Sequence, residues 1–358
     1  MTRADRLAAR VADRELDALL VTDPVDVRYL TGFTGTNALV VVGAGDGARR
    51  VFVTDFRYVG RAATEVGEQF ERVTGERDLL GDVAAALPPG AATLGFDDAK
   101  TTVRTHGRLA ELLGDHAELV AADGLVGDLR MVKEEGELES ICIAAKLADD
   151  ALSAVLERGL VGRTEREIAF DLAHEIRLRG SQPSFPPIVA AGVHSDQPHA
   201  EPGDEEIPRD VLVTIDWGAS ADGYCSDCTR TYATGSVDDE ALEVYELVRQ
   251  AQAVALESVR AGVLGRDADA AARTVIEGAG HGEQFGHGLG HGVGLEVHEE
   301  PRLSKAGDVL LAAGMVVTVE PGVYLPGRFG VRIEDLVIVR DDGGEILSSL
   351  PKELTRID

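Results

Sequence analysis

The chain reads as two domains, an α/β unit over residues 1–126 followed by an α+β unit over residues 127–358 that repeats its own plan internally. Three features lead there. The first 126 residues alternate short apolar runs with helical stretches. From Glu134 the pattern changes to long helices with apolar residues three and four apart. Twice after that point, a pair of helices is followed by apolar strands and a hairpin. A chain of 358 residues exceeds one small domain and suits two with substantial cores.

In the first unit an amphipathic helix precedes apolar strand runs at Ala18–Val21, Ala38–Val42, Arg50–Thr54 and Thr93–Phe96. Pro88-Pro89-Gly90 interrupts it, and the Gly124 to Gly127 region is the expected linker. In the second unit Leu138, Ile141, Ala145, Ala148, Leu152 and Val155 mark one face of a helix that stops at Gly159. Thr164 is placed as the N-cap of the next helix, with Glu167 positioned to close a capping box, and Gly180 ends it. A further helix runs from about Asp238 to Arg260. Gly265-Arg266-Asp267 then echoes Gly162-Arg163-Thr164 at an offset of 103 residues. The echo points to a duplicated unit with pseudo-twofold symmetry, which would bring two hairpins to equivalent places around a shared centre.

Composition narrows the partners. The formal net charge is -28, and only five of the 35 basic residues are lysine. So negative a field repels nucleic acid and anionic membranes. High ionic strength screens it, so the composition reads as adaptation to a salt-rich cytoplasm. No stretch approaches the ~18 consecutive apolar residues of a membrane span. Asp5, Asp13, Glu15 and Asp17 in the first helix argue against a secretory or transit segment, and a cytoplasmic location is expected. The odd cysteine count (Cys142, Cys225 and Cys228) speaks against a disulfide framework. Cys225 and Cys228, three apart on a strand, point to opposite faces and read as structural thiols.

The most unusual segment is Phe285-Gly286-His287-Gly288-Leu289-Gly290-His291-Gly292-Val293-Gly294. If it is extended, His287, Leu289, His291 and Val293 share one face and five glycines the other, leaving a backbone that something can approach closely. Two hairpins flank it in sequence. Asp216 and Asp227 stand symmetrically about a turn at Ala221-Asp222-Gly223, and Glu320 and Glu334 flank a turn centred on Gly327. Acids placed as cross-strand neighbours repel, so a shared proton, an arginine or a metal ion must offset the charge. Taken singly these acids have ordinary readings: Asp216 and Glu320 as turn caps, Asp227 paired with Arg230, Glu334 paired with Arg332. Their recurrence favours a site. Several hard oxygen donors with one imidazole, His291, suit a pair of Mn²⁺, Co²⁺, Fe²⁺ or Zn²⁺ ions.

Pro198-His199-Ala200, Asp216, Asp227, the segment Gly290 to Pro301, Glu320-Pro321-Gly322 and Arg332-Ile333-Glu334-Asp335 together resemble the pita-bread metallopeptidases, which include methionine aminopeptidase, aminopeptidase P and prolidase. Tyr29 to Gly35 and Thr54-Asp55-Phe56-Arg57-Tyr58 are similar to the N-terminal domain of aminopeptidase P and prolidase, which methionine aminopeptidases lack. The resemblance implies that Asp216 holds one metal ion, His291 and Glu320 the other, and that Asp227 and Glu334 bridge both. It implies Mn²⁺ first among the candidate ions, Glu320 as the proton shuttle, and His199 and His298 as groups that contact substrate and steady the oxyanion. His287 is a candidate pocket residue if the strand is regular, and a bend near Glu296 is needed to bring His298 round. Arg332 either meets a substrate carboxylate or neutralises local acid. A homodimer acting on proline-containing peptides is expected.

The resemblance implies hydrolysis of the bond between an N-terminal residue and a following proline. The Thr31–Gly35 and Thr54–Tyr58 segments incline the reading to an Xaa-Pro aminopeptidase, with an Xaa-Pro dipeptidase (prolidase) as the alternative. A metal-free creatinase-like hydrolase and a non-catalytic pita-bread binding protein are remoter, because every ligand position is filled.

Overall fold

The computed structural model describes residues 1–358. Its contacts divide the chain into two compact units, Met1–Arg130 and Met131–Asp358.

The first unit is built on one mixed six-stranded sheet. Its strands are β1 (Ala18–Val21), β2 (Ala38–Gly43), β3 (Arg50–Asp55), β4 (Glu71–Gly75), β5 (Thr93–Phe96) and β6 (Glu118–Ala121), in the spatial order β4-β3-β2-β1-β5-β6. β1 to β3 pair antiparallel, while β4, β5 and β6 add parallel to their neighbours. Helices α1 (Arg3–Asp13), α2 (Pro24–Thr31), α3 (Val59–Glu65), α4 (Val83–Ala86), α5 (Val103–Leu113) and α6 (Gly127–Met131) complete the unit. Leu20, Val41, Val53 and Leu94 of the sheet pack with Val83 and Leu109 in one apolar cluster. Neither β4 nor β6 is among the strands expected from the sequence: β4 lies at a sheet edge where Glu71 and Arg72 leave no apolar run, whereas β6 carries the short run Leu119 to Ala122, left unassigned above. Nor is Gly124 to Gly127 an open linker. Leu125 and Val126 are buried, Arg130 bonds Asp26 at 2.7 Å, and the Tyr29 hydroxyl donates to the Leu129 carbonyl at 3.0 Å. The boundary therefore falls at Arg130, beyond the expected residue 126.

The second unit opens with α7 (Glu135–Leu156) and α8 (Glu165–Leu178). The expected capping box is present: Thr164 Oγ accepts from the Glu167 amide at 3.1 Å, and the Glu167 carboxylate accepts from the Thr164 amide at 2.8 Å. Strands β7 (Gln182–Pro183), β8 (Ile188–Ala191), β9 (Val211–Trp217), β10 (Ala219–Ala221), β11 (Tyr224–Cys225) and β12 (Cys228–Thr234) follow. Then come α9 (Asp239–Ser258), α10 (Gly265–Gly278), and strands β13 (Gly290–Gly292), β14 (Glu299–Leu303), β15 (Val316–Val319), β16 (Gly322–Leu325), β17 (Phe329–Arg332), β18 (Asp335–Val339) and β19 (Gly344–Ile346).

The two halves share a plan. Leu152 and Val155 of α7 and Ile168, Leu172 and Ile176 of α8 bury against Val213, Ile215 and Trp217 of the β12-β9-β8 sheet. Val244 and Val248 of α9 and Ala268, Ala272 and Ile276 of α10 bury against Val317, Val319, Val337 and Val339 of the β14-β13-β15-β18-β19 sheet. Each such buried aliphatic side chain is worth roughly 1.5–3 kcal/mol of transfer free energy. No helix is long and apolar enough to cross a membrane.

The Gly-His segment is not one continuous strand. Only Gly290–Gly292 is strand, its register shifts between His291 and Gly292, and residues 286–289 are irregular. The stripped backbone serves the protein's own neighbouring strands: a Cβ on Gly290 would lie 2.0 Å from the Thr318 carbonyl oxygen, and one on Gly292 would lie 2.2 Å from the Glu300 carbonyl oxygen. Backbone cannot yield as a flexible side chain can. Gly290→Ala is expected to destabilise the protein by about 1–3 kcal/mol through overpacking. Gly107→Ala is the contrast, since Gly107 is helical and exposed with nothing near its missing Cβ, and it should gain up to about 0.5–1 kcal/mol. Denaturant midpoints of the two variants should move in opposite directions, and a neutral Gly290→Ala would refute the close-approach argument.

Candidate metal centre and active site

Both hairpins are interrupted, and three of the four acids sit at the interruptions. β9 pairs with β12 and β10 with β11, while β15 pairs with β18 and β16 with β17. Asp227 lies in the gap before β12, and Glu320 and Glu334 lie in the gaps beside β15 and β18. Asp216 is within β9, and its cross-strand partner is Thr229 rather than Asp227. A break in the ladder frees side chains from alternating in and out, so neighbouring acids can aim at one place.

That place is a cavity of about 790 Å³, lined by Asp216, Asp227, His291, Glu320 and Glu334 together with His199, His287, His298, Tyr324 and Arg332. All the candidate residues read from the sequence thus meet. Donor atoms of Asp227, His291 and Glu334 lie within 4.8 Å of one another. The His291 Nε2 stands 3.3 Å from Glu320 Oε1 and 3.6 Å from Asp227 Oδ2.

The polar surroundings fix these side chains. Thr318 Oγ accepts from the His291 amide at 3.0 Å and donates to Glu320 at 3.1 Å. Thr229 Oγ donates to Glu334 at 2.7 Å and accepts from Arg332 Nε at 3.0 Å. Arg332 Nη2 bonds Asp216 at 2.6 Å, while Nη1 donates to the Tyr324 hydroxyl and the Pro198 carbonyl. Of the two alternatives for Arg332, these contacts match the pairing with local acid. Its ordinary pairing with Glu334 is not made, and Arg230 bonds Asp335 rather than Asp227. His287 lines the cavity, but it is held at both ring nitrogens, by the Gly288 carbonyl at 2.7 Å and by Tyr324 at 3.2 Å. The bend needed near Glu296 is present as a turn in which the Gly294 amide donates to the Glu296 carbonyl. It brings the His298 ring within 4.2 Å of His291, centroid to centroid.

Sequence reasoning misses Tyr324, Thr229 and Thr318, which steady Arg332, Glu334 and Glu320. The available signal is the placement of Thr229 and Thr231 around Arg230 in a wholly buried strand, where a hydroxyl needs a partner.

Charge decides what the cavity can hold. Burial, followed by the charges of Glu334, Asp216 and Glu320, pushes the Asp227 carboxyl well above its usual range. Burial with the charges of Glu320 and Asp216 does the same to Glu334, and burial raises Asp216 against the pull of Arg332. Burial also opposes ionisation of Glu320, but its bond to His291 and the charge there bring it down to about 2. Asp216 Oδ1 is buried without a hydrogen-bond partner. The His291 Nδ1 stands 3.1 Å from the Gly292 carbonyl, which orients the ring so that Nε2 faces the carboxylates of Glu320 and Asp227. A cation between them resolves each of these conflicts, and four carboxylates with one imidazole fit divalent metal ions.

The sequence profile of metallopeptidase family M24 matches residues 139–341. The chain belongs to family M24. Residues 3–132 match the creatinase/prolidase N-terminal domain. A Bacillus anthracis structure described as an Xaa-Pro dipeptidase superposes with a TM-score of 0.94 at 38% identity, covering 99% of this chain and 98% of that one. An X-Pro aminopeptidase from Thermotoga maritima MSB8 gives a TM-score of 0.89 at 34% identity, over 99% and 100% of the two chains. Among sequence relatives, an Xaa-Pro dipeptidase of Pyrococcus horikoshii is 34% identical over 342 residues, 95% of this chain and 94% of its own. The chain is thus an M24 peptidase with the pita-bread catalytic fold and a creatinase-type N-terminal domain.

For this M24 peptidase, raised carboxyl pKa values have a consequence for stability. A carboxyl whose pKa is higher in the folded state holds a proton that the unfolded chain has already lost, so the metal-free protein loses stability as pH rises above about 4. Metal loading removes that loss. Melting temperatures of chelated and Mn²⁺-loaded protein are expected to diverge between about pH 5 and pH 8, with the chelated form falling behind. A gap that stays constant with pH would refute the shared-charge argument.

Proposed function

We propose that the protein is a dinuclear-metal-dependent Xaa-Pro dipeptidase, a prolidase, with Xaa-Pro aminopeptidase as the second reading. The observation behind it is the convergence of Asp216, Asp227, His291, Glu320 and Glu334 on one cavity that also holds His199 and His298. This reverses the preference drawn from the Thr31–Gly35 and Thr54–Tyr58 segments. Xaa-Pro dipeptidases stand among both the sequence relatives and the structural neighbours, which supports the dipeptidase reading.

In this proposal Asp216 would hold one ion and His291 and Glu320 the other, with Asp227 and Glu334 shared between the two. The donor set favours Mn²⁺, with Co²⁺, Fe²⁺ or Zn²⁺ as substitutes. A bound pair of divalent ions supplies Lewis acidity and a nucleophile available near neutral pH. Glu320, ionised because its pKa is held at about 2, accepts the nucleophile's proton and delivers it to the departing imino nitrogen. The proline nitrogen must gain one proton to leave as an amine, and the proton that Glu320 has taken from the nucleophile supplies it. Burial, with the neighbouring His291, lowers the His298 pKa to about 4, and the neutral ring offers an N–H to the developing oxyanion. His199 lines the same cavity and serves the substrate carbonyl side.

Phe185, Ile188 and Val297 supply apolar wall for a pyrrolidine ring. Of the two arginines lining the cavity, Arg332 is bound to Asp216, whereas Arg302 is half exposed with only Glu300 near it, at 3.7 Å. Arg302 is the cation available for the free carboxylate of a dipeptide. Supporting the second reading, a neighbouring hollow of about 900 Å³ shares Gly286, His287 and Gly288 with the cavity, giving room for a chain that continues past proline. A homodimer in the cytoplasm remains part of the proposal.

Assays of Xaa-Pro dipeptides beside Xaa-Pro-Yaa tripeptides, after chelation and re-addition of single divalent ions in high salt, separate the readings. Dipeptides should be cleaved preferentially and only with metal restored. Arg302→Ala should raise the dipeptide KM about 10-fold or more, the worth of a charge-assisted hydrogen bond, with little change in kcat. Equal or better tripeptide cleavage, indifferent to Arg302, would favour the aminopeptidase.

A further inference from the structure

Directly behind Glu334 lies a polar cluster that the reaction itself does not use. Asp335 is fully buried, and it receives Arg230 at 2.8 Å on one oxygen and both Gln252 at 2.8 Å and Lys352 at 2.7 Å on the other. These donors come from β12, from α9 and from the segment near the end of the chain. Arg230 has 1% of its surface exposed, and it also donates to the Glu334 carbonyl and to the carbonyls of Leu350 and Pro351. One guanidinium thus grips the backbone of Glu334, the side chain of the next residue and the strand's covering segment.

We infer that Arg230 and Asp335, with Lys352, form a positioning assembly that sets the backbone of Glu334 and so the geometry with which its carboxylate can join two ions. The inference rests on the reading of Glu334 as a bridging ligand. A bridging carboxylate has to satisfy two ions at once, so a small shift of its backbone costs more than it would at a ligand to one ion. Thr229 holds the carboxylate end of Glu334, and Arg230, the next residue along the same strand, holds its carbonyl. The segment Leu350–Lys352 therefore acts as a strap, since Arg230 and Asp335 are both fastened to it.

The test is metal stoichiometry and affinity, read by equilibrium dialysis with elemental analysis and by calorimetry with Mn²⁺. Wild type is compared with Arg230→Lys and with Lys352→Ala, each checked for folding by circular dichroism. Arg230→Lys keeps the charge but loses the fork that spans Glu334, Asp335 and Leu350. Lys352→Ala removes only a partly exposed donor, and it carries the test if the first variant does not fold. The second equivalent of Mn²⁺ is expected to bind about 10- to 100-fold more weakly in Arg230→Lys, and about 10-fold more weakly in Lys352→Ala. Folded variants that hold both ions with unchanged affinity, whatever their melting temperatures, overturn the inference. A wild type that takes up no ion at all overturns the metal reading first, which keeps the two failures distinguishable.

Discussion

Four carboxylates facing one buried cavity are the constraint around which the second unit is arranged, because like charges withdrawn from water repel strongly and nothing inside the protein alone neutralises them all. Arg332 reaches Asp216, and Thr229 and Thr318 donate to Glu334 and Glu320. Asp227 has no comparable partner, since the nearest basic group, the His291 Nε2, stands 3.6 Å away. A fold optimised for stability alone would replace such a cluster with apolar side chains. Its presence between two well-packed cores means that the surrounding structure holds the acids in place against their repulsion, as expected of a site preorganised for cations.

The fold achieves this through interrupted hairpins. An unbroken antiparallel ladder sends alternate side chains to opposite faces and cannot aim acids from four chain segments at one point. Ending β9 and β15, restarting as β10 and β16, and returning through β11 and β17 inserts residues outside the ladder in both halves. The duplication matters for the same reason. Each half contributes a pair of helices that fixes its sheet and one hairpin that offers two acids, while the second half adds the glycine-lined strand that carries His291. The glycines let β13 lie close against β14 and β15, so His291 is set by backbone packing rather than by a mobile loop.

Much of this was legible in the sequence because it rests on local rules. The spacing of Leu138, Ile141, Leu152 and Val155 reports a helix face, and the Thr164–Glu167 capping box is a contact within one turn. Acids flanking turns on either side of a Gly-His run signal convergence without any knowledge of register. What was not legible depends on long-range geometry. That Asp216 faces Thr229, that Arg332 serves Asp216, and that Tyr324 links Arg332 to His287 are results of where the ladders break. The edge strand β4 lacks an apolar run because exposure removes the need for it. The glycines were readable as a site of close approach, but the identity of the approaching group, the backbone at Thr318 and Glu300, was not.

Charge inventory also bears on how many ions the cavity is built for. Asp216, Asp227, Glu320 and Glu334, fully ionised, carry four negative charges, and Arg332 returns one. A single divalent ion leaves the cavity net negative, hostile both to an anionic nucleophile and to the oxyanion formed when it attacks. Two divalent ions leave one net positive charge, which favours a deprotonated nucleophile and the developing negative charge together. The charge balance thus supports the proposed pair of ions, with the arginine on Asp216 leaving it slightly positive.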